Sequence, residues 1–287
     1  MTDTDLPLEV EIDRIECDLL VEAIYRRYGY DFRDYTKAHL RRRLHHRLAL
    51  SGLSNMAEML HRVLVDKEFF GALLADLSIN VTAMFRDPPF YRAVRHQVLP
   101  VLETYPFIRI WHAGCATGEE AYSMAILLEE AGLAKRTQLY ATDMSQVALD
   151  AAREGIYPID EIKAYTSNYQ QADGQASFSD YYTAKYESVM MNKRLRERII
   201  FAQHNLTSDG VFGEMHAIVC RNVLIYFTKR LQNRVMQLFA DSLRPGGFLL
   251  LGSKENLAMG EWGHLFEVVD EEARIYKKKI TLEHEGQ

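Results

Sequence analysis

Residues 108–120 read Ile-Arg-Ile-Trp-His-Ala-Gly-Cys-Ala-Thr-Gly-Glu-Glu, and residues 138–143 read Gln-Leu-Tyr-Ala-Thr-Asp. The first run predicts a buried strand, a tight turn at Gly114 and Gly118, and the start of a helix. The second run predicts a parallel strand that ends at Asp143. Strand, glycine turn, helix and strand in this order are typical of a nucleotide-binding βαβ unit.

This βαβ unit predicts a ligand that contains a nucleoside, because the Asp143 carboxylate can accept hydrogen bonds from both hydroxyls of a ribose. The turn has neither the Gly-Lys-Ser/Thr of a P-loop nor a complete G-x-G-x-x-G. Glu119 and Glu120 would repel a phosphate at the helix start, whereas they fit a ligand with an amino group, such as S-adenosylmethionine. The alternative is that Gly114 and Gly118 only form a tight corner.

The composition predicts a reduced, cytoplasmic protein. The chain has 287 residues, of which 48% are hydrophobic, and a formal net charge of −6. That length allows two domains, and the negative charge argues against general nucleic-acid binding. Cys17, Cys115 and Cys220 show no C-x-x-C spacing, so we expect free thiols and no metal. We expect no signal peptide and no membrane insertion.

Residues 1–79 predict a separate all-α domain of four short helices, with breaks at 28–30 and 51–54. The second helix, expected over 34–50, has a leucine face and an otherwise basic surface. Its uncompensated cations are Lys37, Arg41, Arg42, Arg43 and Arg47. We expect this surface to dock an acidic partner, which could be a protein helix, an anionic lipid surface or RNA. The alternative is an ordinary solvated helix face.

Residues 80–287 predict an α/β domain with a parallel sheet, because strands and helices alternate along it. The expected elements are a strand at 108–113, a helix at 119–131, a strand at 137–142 and a helix at 145–154. Residues 160–198 interrupt this alternation with polar and tyrosine-rich sequence, so we expect a small inserted subdomain there. Further strands, a helix from residue 228, a Pro-Gly-Gly turn and a C-terminal hairpin follow.

Asp87-Pro-Pro-Phe90 precedes the α/β domain and imitates the catalytic tetrapeptide of amino-group DNA methyltransferases. That tetrapeptide should follow an apolar strand, and none is predicted before Asp87. We therefore interpret Asp87 as the N-cap of a helix that begins at Pro88 and runs to about Leu99.

Ordered motifs give the chain a resemblance to the CheR-type chemotaxis protein methyltransferases, from about Cys17 to Lys278. The motifs are Asn80-Val-Thr-Ala-Met-Phe-Arg86, Ala113-Gly-Cys-Ala-Thr-Gly-Glu-Glu120, Ala141-Thr-Asp143, Asn205-Leu206, Cys220-Arg-Asn-Val-Leu-Ile-Tyr-Phe227 and Leu243-Arg-Pro-Gly-Gly247. The first and fifth are the most specific. The resemblance implies a class I, Rossmann-like S-adenosylmethionine-dependent methyltransferase domain behind an all-α N-terminal domain.

The resemblance also implies roles for individual residues. Positions that match the cofactor-binding residues are Asn80, Thr82, Arg86, Gly114, Glu120, Asp143, Asn205, Leu206, Arg221 and Asn222. Arg86 and Tyr226 match positions beside the transferred methyl group, so we expect them to be the catalytic residues. Each also has a structural alternative: Arg221 could form a buried ion pair, and Tyr226 could be a core aromatic.

The implied reaction is methyl transfer from S-adenosylmethionine to glutamate carboxylates of chemoreceptors, which yields glutamate methyl esters and S-adenosylhomocysteine. The expected partner is the cytoplasmic helical region of a chemoreceptor, the basic helix is expected to dock it, and the enzyme is expected to be a monomer. The inserted subdomain lacks the glycine-rich loop with which some relatives hold a receptor C-terminal peptide, since 182–191 contains no glycine. Alternatives are another protein or RNA substrate, or a non-catalytic cofactor sensor.

Overall fold

The computed structural model describes residues 8–77, 82–257 and 262–280. The chain divides into two compact units. The first comprises Met1–Ile79 with Tyr226–Leu231, and the second comprises Asn80–Ile225 with Gln232–Gln287.

The first unit is all-α, as predicted. Its described helices are α1 (Leu8–Tyr28), α2 (Lys37–Ser51), α3 (Met56–Val65) and α4 (Lys67–Leu77). The expectation of short helices is wrong for α1, which has 21 residues because its sequence contains neither glycine nor proline. Gly52 ends α2 in the left-handed region at φ 69°, and the Asn55 side chain caps α3 by accepting a hydrogen bond from Glu58 N.

Apolar faces and a few polar links hold the first unit together. Helix α1 buries Cys17, Leu20, Val21 and Ile24, and α2 buries Leu40 and Leu44. On the α1–α2 side, Nε2 of His45 lies 3.0 Å from the Asp13 carboxylate. The segment Tyr226–Leu231 joins this unit through the backbone, because Thr36 N donates to Tyr226 O and Thr228 N donates to Asp34 O, both at 2.8 Å.

A seven-stranded sheet forms the centre of the second unit. The strands within the described residues are β1 (Ile108–Ala113), β2 (Thr137–Asp143), β3 (Ile156–Pro158), β4 (Tyr182–Lys185), β5 (Ser188–Met191), β6 (Ile199–Gln203), β7 (Met215–Cys220), β8 (Leu243–Leu251), β9 (Phe266–Asp270) and β10 (Ile275–Lys278). The order is β6-β2-β1-β7-β8-β10-β9. Strands β6, β2, β1, β7 and β8 are parallel, and β10 runs antiparallel between β8 and β9. The predicted parallel sheet with a C-terminal hairpin is thus confirmed.

The remaining helices are α5 (Pro88–Ala93), α6 (Leu99–Leu102), α7 (Glu119–Glu130), α8 (Gln146–Glu154), α9 (Ile162–Gln171), α10 (Lys193–Arg196) and α11 (Lys229–Ser242). A π-helical turn at Val94–Val98 links α5 to α6, so the helix predicted to end at about Leu99 continues to Leu102. Helix α8 begins after Ser145, whose side chain accepts from Ala148 N, and ends at Gly155 with φ 62°. No helix in the described ranges is long and apolar enough to cross a membrane.

The inserted region has a small sheet of its own, with antiparallel strands in the order β3-β5-β4. It also contains α9, which the sequence reading missed. Tyr165 and Tyr169 are the buried side chains of α9, and the hydroxyls of Tyr169 and Tyr181 both donate to the Glu130 carboxylate of α7. Tyrosines therefore provide the apolar face of this helix and also its polar attachment to the Rossmann-like core.

Candidate functional site

The glycine turn after β1 has the tight geometry that its sequence predicted. The amides of Gly114 and Cys115 donate to Thr142 O at 2.8 and 2.9 Å, which ties the turn to the end of β2. Gly114 has φ +79°, and a Cβ there would lie 2.6 Å from Cγ2 of Val223. Only glycine fits this position without strain, because both the backbone angle and the close neighbour exclude a side chain.

Asp143 lies at the carboxyl end of β2 and holds the glycine turn. Its Oδ2 accepts from Ala116 N at 3.0 Å, and its Oδ1 accepts from Ser145 N at 2.9 Å. Burial raises the pKa of Asp143, while these backbone donors oppose the rise. Each oxygen keeps a further lone pair, so the carboxylate can still accept hydrogen bonds from a ribose.

The two glutamates at the start of α7 have different environments. Glu119 is buried, accepts a hydrogen bond from Thr117 Oγ1 at 2.7 Å, and has no cationic partner among the described residues. Burial raises the pKa of Glu119 to about 7. Burial also acts to raise the pKa of Glu120, but the contacts of its carboxylate with His112 and Arg221 together bring that pKa below its usual value. Glu120 is therefore an anion that the protein already pairs.

Arg221, directly after β7, is the centre of a buried polar network. Its Nη1 donates to Glu120 Oε2 at 2.9 Å and its Nη2 donates to Asp87 Oδ2 at 2.7 Å, with only 2% of the side chain exposed. The guanidinium carbon lies 3.9 Å from the ring centre of Phe90. Nη1 also reaches the carbonyl oxygen of Arg86 at 3.3 Å. The structural alternative for Arg221, a buried ion pair, is therefore present in this structure.

Asp87 occupies the N-cap position of α5, but its predicted capping role is wrong. Its backbone is left-handed at φ 60°, and its side chain makes no capping hydrogen bond. The carboxylate binds Arg221 instead. An ion pair with a buried guanidinium is stronger than a cap on an exposed helix end, so it determines the side-chain direction.

Glu255, which the sequence reading missed, organises the loop after β7. Its carboxylate accepts four backbone N–H groups: those of Asn222 at 3.1 Å, Val223 at 2.9 Å, Leu224 at 2.8 Å and Gly252 at 2.6 Å. Asn222 has φ 60°, a left-handed conformation that costs energy unless its surroundings hold it. The loop after β7 and the loop after β8 are thereby fixed to one another.

The other predicted cofactor residues are placed as follows. The Asn205 Oδ1 atom accepts from Thr207 N at 3.0 Å and from Thr207 Oγ1 at 2.8 Å, so this side chain shapes the turn after β6. Leu206 is buried beside it. Thr82 and Arg86 are half-buried, and Asn80 lies outside the described residues.

Tyr226 ends a 3-10 turn, Leu224–Tyr226, and clusters with the first unit. Its ring centre lies 4.8 Å from that of His39 in an edge-on contact. The ring is half-buried, so Tyr226 is not a fully buried core aromatic.

The basic surface of α2 differs from the prediction of five uncompensated cations. Lys37 pairs with Asp18 at 2.5 Å, and Arg47 pairs with Asp76 of α4 at 2.5 Å with 19% of its side chain exposed. Arg41 and Arg43 form no ion pair within the described ranges. Arg47 therefore attaches α2 to α4, and the cations left for an acidic partner are the exposed Arg42 and the half-buried Arg41 and Arg43.

These residues fit a nucleoside ligand with a cationic end. Residues 114–118 contain neither lysine nor arginine, and the nearby acids include Asp143 and the unpaired Glu119. A phosphate would meet repulsion there, whereas a ribose finds the free lone pairs of Asp143. The seven-stranded sheet with its antiparallel edge hairpin and this glycine turn define a class I S-adenosylmethionine-dependent methyltransferase domain.

The chain belongs to the CheR methyltransferase family. The family's "SAM binding domain" matches residues 80–275, and its "all-alpha domain" matches residues 15–78. The chain is similar to Cher3 of Pseudomonas putida, with 47% identity over 92% of this chain and 97% of that protein. It is 30% identical to the chemotaxis protein methyltransferase of Salmonella typhimurium, over 83% of each chain. It is 31% identical to chemotaxis protein methyltransferase 2 of Pseudomonas aeruginosa, over 82% of this chain and 84% of that one.

Proposed function

We propose that this protein transfers the methyl group of S-adenosylmethionine to glutamate carboxylates in the cytoplasmic helices of chemoreceptors, which forms glutamate methyl esters. The observation that carries the proposal is the match of both family domains, supported by relatives that are named chemotaxis protein methyltransferases. A cytoplasmic location follows from such a substrate.

The proposed cofactor supplies an electrophilic methyl group on a sulfonium, and the chain's own residues bind and orient the reactants. The binding residues would be Asn80, Thr82, Arg86, Gly114, Glu120, Asp143, Asn205, Leu206, Arg221 and Asn222. Their local geometry suggests two kinds of contribution. Asp143 and the backbone of the glycine turn would contact the cofactor, whereas Arg221, which pairs with Glu120 and Asp87, would hold the surrounding loops in place.

The proposed reaction needs no general base. A glutamate side chain has a pKa of about 4.3, so at neutral pH the attacking oxygen is already an anion. Catalysis then depends on aligning carboxylate oxygen, methyl carbon and sulfur. Arg86 would position the cofactor or the substrate carboxylate, and the Tyr226 hydroxyl would orient the attacking group. A close ion pair with the attacking oxygen would weaken the nucleophile, so Arg86 is assigned to positioning.

The basic surface of α2 is the proposed docking site for the receptor. Chemoreceptor segments that carry several glutamates are acidic, and Arg41 and Arg43 present charges that no carboxylate of the described chain neutralises. Lys37 and Arg47 would contribute less, since each already has a partner. An anionic lipid surface or RNA would fit the same charge, but neither accounts for the family match.

The decisive experiment measures transfer of radiolabelled methyl groups from S-adenosylmethionine to purified chemoreceptor cytoplasmic fragments. Label on glutamate that is released as methanol by mild base supports the proposal, because methyl esters are base-labile and methylamines are not. The control is a fragment in which the candidate glutamates are replaced by alanine, which should take up no label.

Calorimetric titration with S-adenosylhomocysteine separates the alternatives. Binding without label on any receptor fragment would refute the receptor assignment and favour another protein substrate or a sensing role. Label that appears in RNA and is stable to base would favour a nucleic-acid methyltransferase. Absence of cofactor binding by the folded protein would overturn the methyltransferase assignment itself.

A further inference from the structure

Helix α1 carries a row of exposed apolar side chains, which we call the outer stripe. It consists of Leu8, Ile12, Ile15 and Leu19, which are 71%, 46%, 52% and 54% exposed. With a turn of about 100° per residue, these four positions lie within an arc of about 60° on the helix surface. Their 4-3-4 spacing is that of a coiled-coil seam about 17 Å long.

The outer stripe lies on the face of α1 opposite to the one that packs inside the first unit. The inner face consists of Cys17, Leu20, Val21 and Ile24, all at most 2% exposed. A helix on the surface of a domain normally has one apolar face, with polar residues opposite. Helix α1 is apolar on both faces, and only one of them has a partner within the described chain.

Acidic residues border the outer stripe on both sides. In heptad terms Leu8 and Ile15 are d positions, and Ile12 and Leu19 are a positions. Glu9 and Glu16 then occupy the e positions along one edge of the stripe, and Glu11 and Asp18 occupy the g positions along the other. Only Asp18 has a cationic partner within the described ranges, namely Lys37. Within the described ranges the border therefore keeps three carboxylates without a cationic partner, those of Glu9, Glu11 and Glu16.

We infer that the outer stripe docks an amphipathic helix of another protein, whose apolar seam is bordered by lysine or arginine. Charge complementarity selects this occupant. A second copy of α1 would bring acidic borders against acidic borders, and an anionic membrane would be repelled by the same residues. The inference is independent of the proposed function, because the α2 surface is basic and would select an acidic partner instead.

The test uses the full-length protein and a fluorescein-labelled 21-residue peptide with isoleucine and leucine at the seam positions and lysine at the e and g positions. A matched peptide carries glutamate at the e and g positions. Fluorescence anisotropy should show saturable binding of the lysine peptide, at least about tenfold weaker binding of the glutamate peptide, and a decline in affinity with added salt.

Two variants locate the binding surface. I12K/I15K should weaken binding of the lysine peptide by about tenfold or more, because it places two charges in the apolar seam. I200K/V268K is the matched control, since it adds the same charge at exposed apolar positions of β6 and β9 in the second unit. It should bind like the wild type. Circular dichroism and thermal melting establish that both variants are folded.

Three outcomes would overturn the inference. The first is equal affinity for the two peptides, and the second is unchanged affinity in a folded I12K/I15K variant. The third is sedimentation that shows a wild-type dimer abolished by I12K/I15K, which would make a second copy of this chain the occupant of the stripe.

Discussion

Replacing Glu255 with glutamine should destabilise the second unit strongly. The glutamate offers two acceptor oxygens to four backbone N–H groups, at distances of 2.6 to 3.1 Å. Glutamine has nearly the same shape, but an NH2 donor replaces one of the oxygens. Two of the four N–H groups would then lose their acceptor. A hydrogen bond to a charged group contributes about 1.5–3 kcal/mol, so the expected loss in the free energy of unfolding is about 3–6 kcal/mol.

Urea unfolding followed by tryptophan fluorescence measures this loss, because Trp111, which is fully buried in β1, and Trp262 both belong to the second unit. E267Q is the matched control, because the side chain of Glu267 on β9 is 55% exposed and forms a long ion pair with Lys277, at 3.7 Å. An exposed pair of this kind contributes about 0–1 kcal/mol, so E267Q should unfold close to the wild type.

E255Q should also bind S-adenosylhomocysteine about tenfold more weakly under conditions where it remains folded, because the loop that carries Asn222 loses its support. Unfolding of E255Q within about 0.5 kcal/mol of the wild type would refute the reasoning, since it would mean that water satisfies the four amides equally well. If E255Q unfolded like the wild type but bound S-adenosylhomocysteine more weakly, Glu255 would set the conformation of the loop without contributing to the stability of the unit.

Four further outcomes are expected. G114A should unfold about 2–4 kcal/mol more easily in urea and lose affinity for S-adenosylhomocysteine, because it combines a positive φ with overpacking; wild-type stability would contradict this. Burial raises the pKa of Glu119 from 4.5 to about 7, so the folded state holds a proton that the unfolded chain releases. The free energy of unfolding of the wild type should therefore fall by up to about 3 kcal/mol relative to that of E119Q as the pH rises from 4.5 through about 7. A difference between their urea midpoints that does not change with pH would refute the assignment. R41A/R43A should raise the apparent KM for a receptor fragment and flatten its salt dependence, whereas K135A/K163A, which removes two exposed cations of the second unit, should leave both unchanged. Y226F should reduce kcat for receptor methylation more than affinity for S-adenosylhomocysteine, and an equal loss in both would argue against an orienting hydroxyl.

Local signals predicted the βαβ unit closely. The predicted strand at 108–113 matches β1, and the predicted helix at 145–154 differs from α8 by one residue at its start. These boundaries depend on neighbours in sequence: Ser145 caps α8 three residues ahead, and Gly155 ends it with a left-handed backbone. Helix α9 was missed because tyrosines supply its buried face, and a tyrosine-rich polar stretch does not show the usual periodicity of aliphatic residues.

Contacts between distant segments could not be predicted in this way. Glu255 lies more than thirty residues along the chain from Asn222 and Val223, whose backbone amides donate hydrogen bonds to its carboxylate. Nothing in the local sequence marks Glu255 as their partner. The ion pair between Arg47 and Asp76 has the same character, because both residues look like ordinary surface charges until two helices are packed together. The sequence therefore predicted which loops carry the site, but not which side chains hold those loops.

The charge of the candidate site shows why these compensating contacts matter for the proposed reaction. A sequence count places three carboxylates, Glu119, Glu120 and Asp143, around the glycine turn. Three free anions would attract a cationic cofactor but would also repel the anionic glutamate that must approach it. In the structure Arg221 pairs with both Glu120 and Asp87, so these three side chains together carry one net negative charge. Burial raises the pKa of Glu119 to about 7, so this carboxylate is about half protonated at neutral pH. Burial also raises the pKa of Asp143, the carboxylate proposed to bind the ribose. In the proposed reaction, the pairing of Glu120 and Asp87 with Arg221 and the partial protonation of Glu119 would reduce the repulsion that an anionic nucleophile meets on its approach.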